Sequence, residues 1–370
     1  MHAETGHDDI PVGFGGDDAV NGAVCQRFLV VVRSGHRRFD MRLLMATLLV
    51  TLHALSAFAQ DKPKPRDTVK IDEPTKKAMA NALAYLKAAQ KKDGSWGGNQ
   101  AITAYCCLAF MSNGHVPGQG DYGPEVGKGI RNLIANAAEN GYLVGPKGGN
   151  MYAHGMATLA LSQAWGMSPD DEVKKCLKKA VDLICKTQNH EGGWRYEPAP
   201  TGADISVTIM QVMALRGAKD SGLNVPDEVM AKAVAYINRC RDSRSGGYRY
   251  MPSSAGAGYA RTAAGICVLQ LCGKYDAKEV EEGIKYLDLV GDDRQYFWYG
   301  HYYAAHAYHQ VGGKIWEDYY LRLKAKLLAT QRSGGEWAER AELHVGSEYQ
   351  TAIAVLILSV PSHFLPIYQR

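Results

Sequence analysis

Three stretches of this chain share the form Gln-x3-Gly-x-Trp: Gln90 to Trp96, Gln188 to Trp194 and Gln331 to Trp337. A weaker copy, Ser245-Gly246-Gly247-Tyr248-Arg249-Tyr250, keeps the glycines and puts Tyr in place of Trp, and Asn140-Gly141-Tyr142 is weaker again. Self-similarity at a period of roughly 40–50 residues demands a repeat architecture, in which each unit buries its apolar face against the next.

Each copy joins two apolar-periodic segments. The first opens at Asp72-Glu73-Pro74, with acids and a proline in the first turn, and carries Met79, Leu83 and Leu86 as its stripe. The second runs through Ile102, Tyr105, Cys106 and Leu108 to a glycine stop at Asn113-Gly114. Five further pairs follow, closing at Pro361. The first segment of each pair is amphipathic. The second is apolar nearly all round, most plainly in Ala-Ile-Ala-Val-Leu-Ile-Leu at 352–358. A helix apolar all round is buried on every side. Six such helices alternating with six half-exposed ones predict an all-α (α/α)6 toroid, with an inner and an outer ring.

Aligning the second helices brings Thr103, His154, Thr208, Thr262, His301 and Thr351 into one column. Four residues earlier stand Asn99, Asn150, Asp204, Gly258, Phe297 and Ser347, and Asn, Asp and Ser at a helix start suit N-caps. Capping is the default reading of Asp204; a functional acid is the alternative.

Residues 74–361 hold the toroid. Ahead of them, Met41-Arg42, the apolar run Leu43–Val50 and Ala57-Phe58-Ala59 read as a signal peptide over 41–59, cleaved near Ala59. On this reading residues 1–40 are an untranslated or disordered extension, and residues 60–73 are a charged linker with prolines. Residues 362–370 form a C-terminal tail, and the mature protein is exported, periplasmic or extracellular. The apolar run is too short for a stable membrane span. A net charge of +4 over 370 residues, with no basic run, gives no sign of nucleic acid. Seven of the eight cysteines follow the leader, irregularly spaced and mostly in apolar stretches. They read as buried free thiols, not as a disulfide framework. No Cys-x-x-Cys pair or His-rich tract points to a metal, and no cofactor is expected.

The repeats, the helix pairs and Asp204-Ile205-Ser206-Val207-Thr208 together resemble the squalene–hopene cyclase and protein prenyltransferase β-subunit superfamily. The likeness covers residues 74–361. It implies a toroid clamped by its Gln and Trp side chains, which makes Trp96, Trp194 and Trp337 structural. It does not carry the superfamily's chemistry across. The cyclases protonate an alkene with Asp-x-Asp-Asp-Thr; here Ser206 and Val207 stand where two of the three carboxylates would be. The transferases bind zinc through Asp-x-Cys and a distant His, and Ser206 replaces the thiolate.

Parallel inner helices aim their N-termini at one mouth, where partial positive charge gathers. The candidate chemical groups there are Asp204, His154, His301 and Glu348. The candidate lining residues are Tyr152, Arg195, Tyr196, Arg249, Tyr250, Tyr259, Arg261, Trp298, Tyr299, Tyr302, Tyr303 and Tyr349, with the carboxylates of Glu197 and Glu342 also in reach. Such a funnel suits a small-molecule or lipid-like ligand, amphipathic or isoprenoid-like, with flat or ring-shaped apolar parts. Two other functions stay open: an exported carbohydrate-active lyase or hydrolase, and a non-catalytic binding or scaffold module. Tyr outnumbers Phe by 21 to 7, which favours a wetter cavity than a terpene pocket.

Overall fold

A computed structural model describes residues 69–145, 148–292, 295–338, 342 and 345–369. The expected leader at 41–59, the extension at 1–40 and most of the linker lie outside the described residues. Twelve α-helices are found among those described. They are α1 (Glu73–Ala89), α2 (Gln100–Met111), α3 (Gly123–Ala135), α4 (Met151–Met167), α5 (Asp171–Lys186), α6 (Ile205–Asp220), α7 (Asp227–Arg239), α8 (Tyr259–Leu271), α9 (Lys278–Val290), α10 (Phe297–Val311), α11 (Gly313–Thr330) and α12 (Ser347–Leu358).

The even-numbered helices form a closed inner ring: α2, α4, α6, α8, α10 and α12 pack each on the next, and α12 returns to α2. All twelve residues of α2 are buried, as is α12 from Tyr349 to Leu358. The odd-numbered helices bury one stripe only; α5 hides Val173, Cys176, Leu177, Ala180, Val181 and Ile184 and turns its lysines outward. Five of the cysteines are buried and two half-buried, all free.

The repeated motif is a clamp with three parts. The Gln side chain donates to the glycine carbonyl of its own turn and to a carbonyl in the next outer helix. Gln90 reaches Gly94 and Glu125, Gln188 reaches Gly192 and Val229, and Gln331 reaches Gly335 and Ala78, all at 2.8–3.0 Å. The last of these ties the sixth unit to the first. The indole N–H of Trp96, Trp194 and Trp337 donates back to Leu86, Ile184 and Leu327, ten residues upstream, at 2.7–2.9 Å. The glycine is required twice over. At Gly192 φ is +93°, and a Cβ there would sit 2.4 Å from the Lys232 carbonyl oxygen.

The aligned column supplies the third part. Thr103, Thr208 and Thr351 accept the backbone N–H of Trp96, Trp194 and Trp337, and Thr262 accepts that of Tyr248, at 2.8–3.2 Å. In the second unit His154 Nδ1 accepts from Leu143 N–H at 3.1 Å. Asn99, Asn150 and Asp204 are N-caps, as their residue types predict. Gly258 caps without a side chain, and the last two caps fall one residue early, at Tyr296 and Gly346.

The stretch counted as a tail is part of the core. Two 3₁₀ turns, Val360–Ser362 and Pro366–Tyr368, carry the chain across the C-terminal end of the ring, and Leu365, Ile367 and Tyr368 are buried there.

Candidate functional site

The lumen is packed with tyrosines. Tyr105 on α2 lies edge-on to Tyr302 of α10 and Tyr349 of α12, at 5.9 and 5.4 Å. Along α10, Tyr299 meets Tyr303 at 5.0 Å, and Tyr303 meets Tyr302 at 4.8 Å. Tyr152 on α4 completes the set, 6.4 Å from Tyr299 with its hydroxyl 3.3 Å from that of Tyr105. Burial raises the pKa of every one of these phenols, so they stay neutral.

Asp204 stands where the N-terminal mouth meets this aromatic core, and it is fully buried. Its Oδ1 caps α6 by accepting from Val207 N–H at 3.0 Å. Its Oδ2 has no hydrogen bond of good geometry, and neither does the hydroxyl of Tyr299. Burial pushes the Asp204 carboxyl up. The Val207 amide, the Tyr250 hydroxyl, Arg195 and the Ser206 amide pull the other way and do not cancel it. Burial raises the Tyr299 phenol, the Ser206 hydroxyl beside it opposes that rise, and the carboxyls of Asp204 and Glu342 add to it. Glu342 is buried as well. It accepts from Trp298 N–H at 2.7 Å and Tyr299 N–H at 3.3 Å, capping α10, and from the Tyr349 hydroxyl at 3.5 Å.

Two paired loops roof the site. The carbonyl of Tyr196 accepts from Met151 N–H, and that of Tyr250 from Ile205 N–H, both at 2.9 Å. Each loop thereby caps the inner helix of the unit before it. The two hydroxyls meet at 3.1 Å above Asp204, with Tyr196 40% exposed at the rim. Arg195 is exposed beside them, its stem against Gly202.

The predicted residues therefore divide. Asp204, Tyr152, Arg195, Tyr196 and Tyr250 come together at the mouth, and Tyr302 and Tyr349 lie deeper in the lumen. His154 is elsewhere: Nδ1 takes the Leu143 amide, and Nε2 lies 3.3 Å from the Ala180 carbonyl of α5. Both nitrogens are engaged with backbone, and burial lowers its pKa to about 4, so it serves the clamp. His301 also faces away from the lumen. Its Nδ1 sits 2.8 Å from the Tyr319 hydroxyl and 3.4 Å from that of Tyr259, with Asp292 3.4 Å from Nε2. Arg249 pairs with Asp242 at 2.8 Å within its own loop. Arg261 reaches the Gly256 carbonyl at 3.5 Å, and Trp298 is buried against Phe297. Glu348 is half-buried in the first turn of α12, a favourable place for an acid. The packing tyrosine Tyr105 was not among the predicted lining residues, because a helix apolar all round gives no sign of which side meets the axis.

Among the described residues no helix is long and apolar enough to cross a membrane, and no group of three side chains is arranged to hold a metal ion.

Ring, clamps and mouth define the class: an all-α (α/α)6 toroid. Solved structures of that class match most of the chain. The type II terpene cyclase MstE from Scytonema aligns over 80% of this chain and 100% of its own, with a TM-score of 0.57 and 16% identity. An α-1,6-mannanase of Salegentibacter sp. HEL1_6 aligns over 77% and 98%, at 0.60 and 10%. Cellobiose 2-epimerase from Bacillus thermoamylovorans B4167 aligns over 76% and 98%, at 0.60 and 12%. No protein-family model matches the chain. In sequence, drimenyl diphosphate synthase of Streptomyces showdoensis is 27% identical over 188 residues, 48% of this chain. The match covers 33% of that enzyme, so the chain spans about a third of its length. These likenesses show the toroid fold, which the terpene cyclase, the mannanase and the epimerase all share with this chain.

Proposed function

We propose that this protein is a ligand-binding toroid that takes an amphipathic, isoprenoid-like molecule at the N-terminal mouth of its inner ring and does not cyclise it. One observation carries the reading: Asp204 Oδ2 and the Tyr299 hydroxyl are buried polar atoms at one mouth, and neither makes a hydrogen bond of good geometry, although the Tyr250 hydroxyl stands beside the first and Ser206 beside the second. Unpaired buried polar atoms are costly, and a ligand that bonds them removes that cost. The phenols below give flat apolar faces to the rest of such a ligand. Similarity to drimenyl diphosphate synthase and to MstE, which has been seen with geranylgeranyl dihydroxybenzoate, supports the isoprenoid class. Cyclisation is disfavoured because Ser206 and Val207 replace two of the three motif acids. Export after cleavage near Ala59 belongs to the proposal on the leader pattern alone.

A carbohydrate ligand is the second reading, and Glu342 favours it. A second buried carboxyl at the same mouth as Asp204, among phenols, also suits a sugar, and the mannanase shares the ring.

Titration calorimetry of the full chain with geranylgeraniol and with α-1,6-mannotriose tests both. The proposal expects saturable binding of the isoprenoid, weakened by at least about tenfold in Asp204→Asn, where folding is kept but the free acid is lost. Binding of the trisaccharide alone selects the second reading. Binding of neither leaves a scaffold and refutes both. Hopanoid products from squalene would contradict the absence of cyclisation.

A further inference from the structure

The C-terminal end of the ring holds a buried titratable group that the mouth does not use. His306 on α10 is 4% exposed, and neither ring nitrogen has a hydrogen-bond partner in the protein. Its ring stacks on that of Tyr368 at 3.4 Å and 9°, and meets the edge of Tyr302 at 5.3 Å.

Tyr368 belongs to the crossing segment, which buries Val360, Leu365 and Ile367 and is tied down at named points. Gln163 of α4 accepts from Ile367 N–H at 3.1 Å, and Gln310 of α10 donates to the Tyr368 carbonyl at 3.1 Å. The Tyr302 and Tyr368 hydroxyls meet at 2.7 Å, and Ser362 donates to the Ser112 carbonyl at 3.2 Å. The seating has weak points. His363 is held at φ 55°, the one non-glycine residue with positive φ among those described, and Phe364 next to it is 48% exposed. A non-glycine residue in that region stores strain that release of the segment relieves.

We propose that residues 359–369 are an acid-released plug on the C-terminal end of the inner ring, with His306 as the titrating group. The charges around it decide the direction. From α10 the neighbours are Tyr302 and His309, and from the segment Tyr368 and His363. Cys267 of α8 and Tyr105 of α2 act on Tyr302 or Tyr368, not on His306 itself. Burial is the main cause disfavouring a charged His306, and His309 and His363 add to it. α4 and α6, the other helices against this turn, bring the neutral Gln163 and, among the described residues, no carboxylate that acts on the ring. The seated pKa is therefore depressed. Stability from the seated, neutral ring is full above the ordinary histidine range and is lost as pH falls below it. Protonation of the hydrated ring then favours the released segment. Release exposes Tyr302, Gln163 and Gln310 and opens the lumen at the end opposite Asp204.

The test is hydrogen exchange of the full chain from about pH 7.5 to about pH 5, with the intrinsic pH dependence of exchange divided out. Peptides covering 359–369 are compared with peptides covering α6 and α8. The plug predicts that protection of 359–369 falls by up to about tenfold per pH unit below the ordinary histidine pKa, while α6 and α8 stay protected. In His306→Phe, which keeps the stack and removes the titration, protection should not vary with pH. Constant protection in the wild type overturns the proposal, and so does an equal loss in His306→Phe. Should that variant not fold, the wild-type imidazole signal of His306 decides by NMR. Titration in step with loss of segment protection supports the plug, and titration without it, or no titration, overturns it.

Discussion

Gln331→Ala removes the clamp that closes the ring. One side-chain amide donates at 2.8 Å to the Ala78 carbonyl in α1 and at 2.9 Å to the Gly335 carbonyl in its own turn. A net hydrogen bond contributes about 0.5–1.5 kcal/mol, so losing both costs roughly 1–3 kcal/mol. The entropy of unfolding for a unit of roughly 300 residues is about 0.6 kcal/mol per kelvin at the midpoint, which converts that cost to a drop in Tm of about 2–5 °C. Gln188→Ala breaks the matching pair, to Gly192 and Val229, and should cost a similar amount. The two seams share no partner, so the double variant should be additive to within about 0.5 kcal/mol. Differential scanning calorimetry gives the three Tm values. Exchange of α1 amides distinguishes the seams, because only Gln331→Ala unties α1 from the last unit. A Tm within about 1 °C of wild type for Gln331→Ala, with α1 protection unchanged, would refute the clamp as the closing device.

Three further outcomes follow from the same geometry. Gly192→Ala, at φ +93° and against the Lys232 carbonyl, should lower the denaturant midpoint by about 1–3 kcal/mol or more of stability, whereas Gly256→Ala, whose Cβ meets open space, should lose only the backbone part. Burial lowers the folded pKa of His154 to about 4, below its unfolded value, so its contribution is full above the ordinary histidine range and is lost as pH falls toward that value. His154→Thr, the residue at four other column positions, should flatten about 3 kcal/mol of that acid dependence in urea melts across the range. For Asp204, replacement by Ala removes the cap at about 0.5–2 kcal/mol, while Asn keeps it. Its folded pKa is raised, so wild-type stability falls as pH rises from the ordinary carboxylate value through the folded one. Asp204→Asn should lose that slope in pH-dependent melts.

The ring was legible in the sequence because its clamp is local. Gln, Gly and Trp lie within seven residues of one another, and the partners they reach recur at a fixed period. The column at Thr103, Thr208, Thr262 and Thr351 was legible as a position but not as a role. Its partner is a backbone N–H in the preceding turn, and main-chain groups leave no mark in the sequence. His154 looked chemical for the same reason: accepting an amide and facing a carbonyl is what an imidazole does in place of a threonine hydroxyl. Asp204 was legible both as a cap and as a candidate acid, and the structure gives each oxygen a different condition. What stayed hidden was the share of α2 in the lumen. Tyr105 sits on a helix buried on every side, where periodicity does not say which face meets the axis. Tyr368 lies beyond the last repeat, in a stretch with no pattern to show that it folds back.

Ligand binding at the N-terminal mouth turns on Asp204 offering a buried acid oxygen that makes no hydrogen bond of good geometry within the protein. Carbon-13 NMR of carboxyl-labelled protein, with the Asp204 signal assigned by its absence in Asp204→Asn, measures this directly. Asp204 should titrate above the ordinary aspartate range in the free protein, and its signal should shift on saturation with geranylgeraniol while the other buried carboxyls hold still. An Asp204 that titrates at or below the ordinary range, or that is unmoved by a ligand the protein demonstrably binds, would contradict that role.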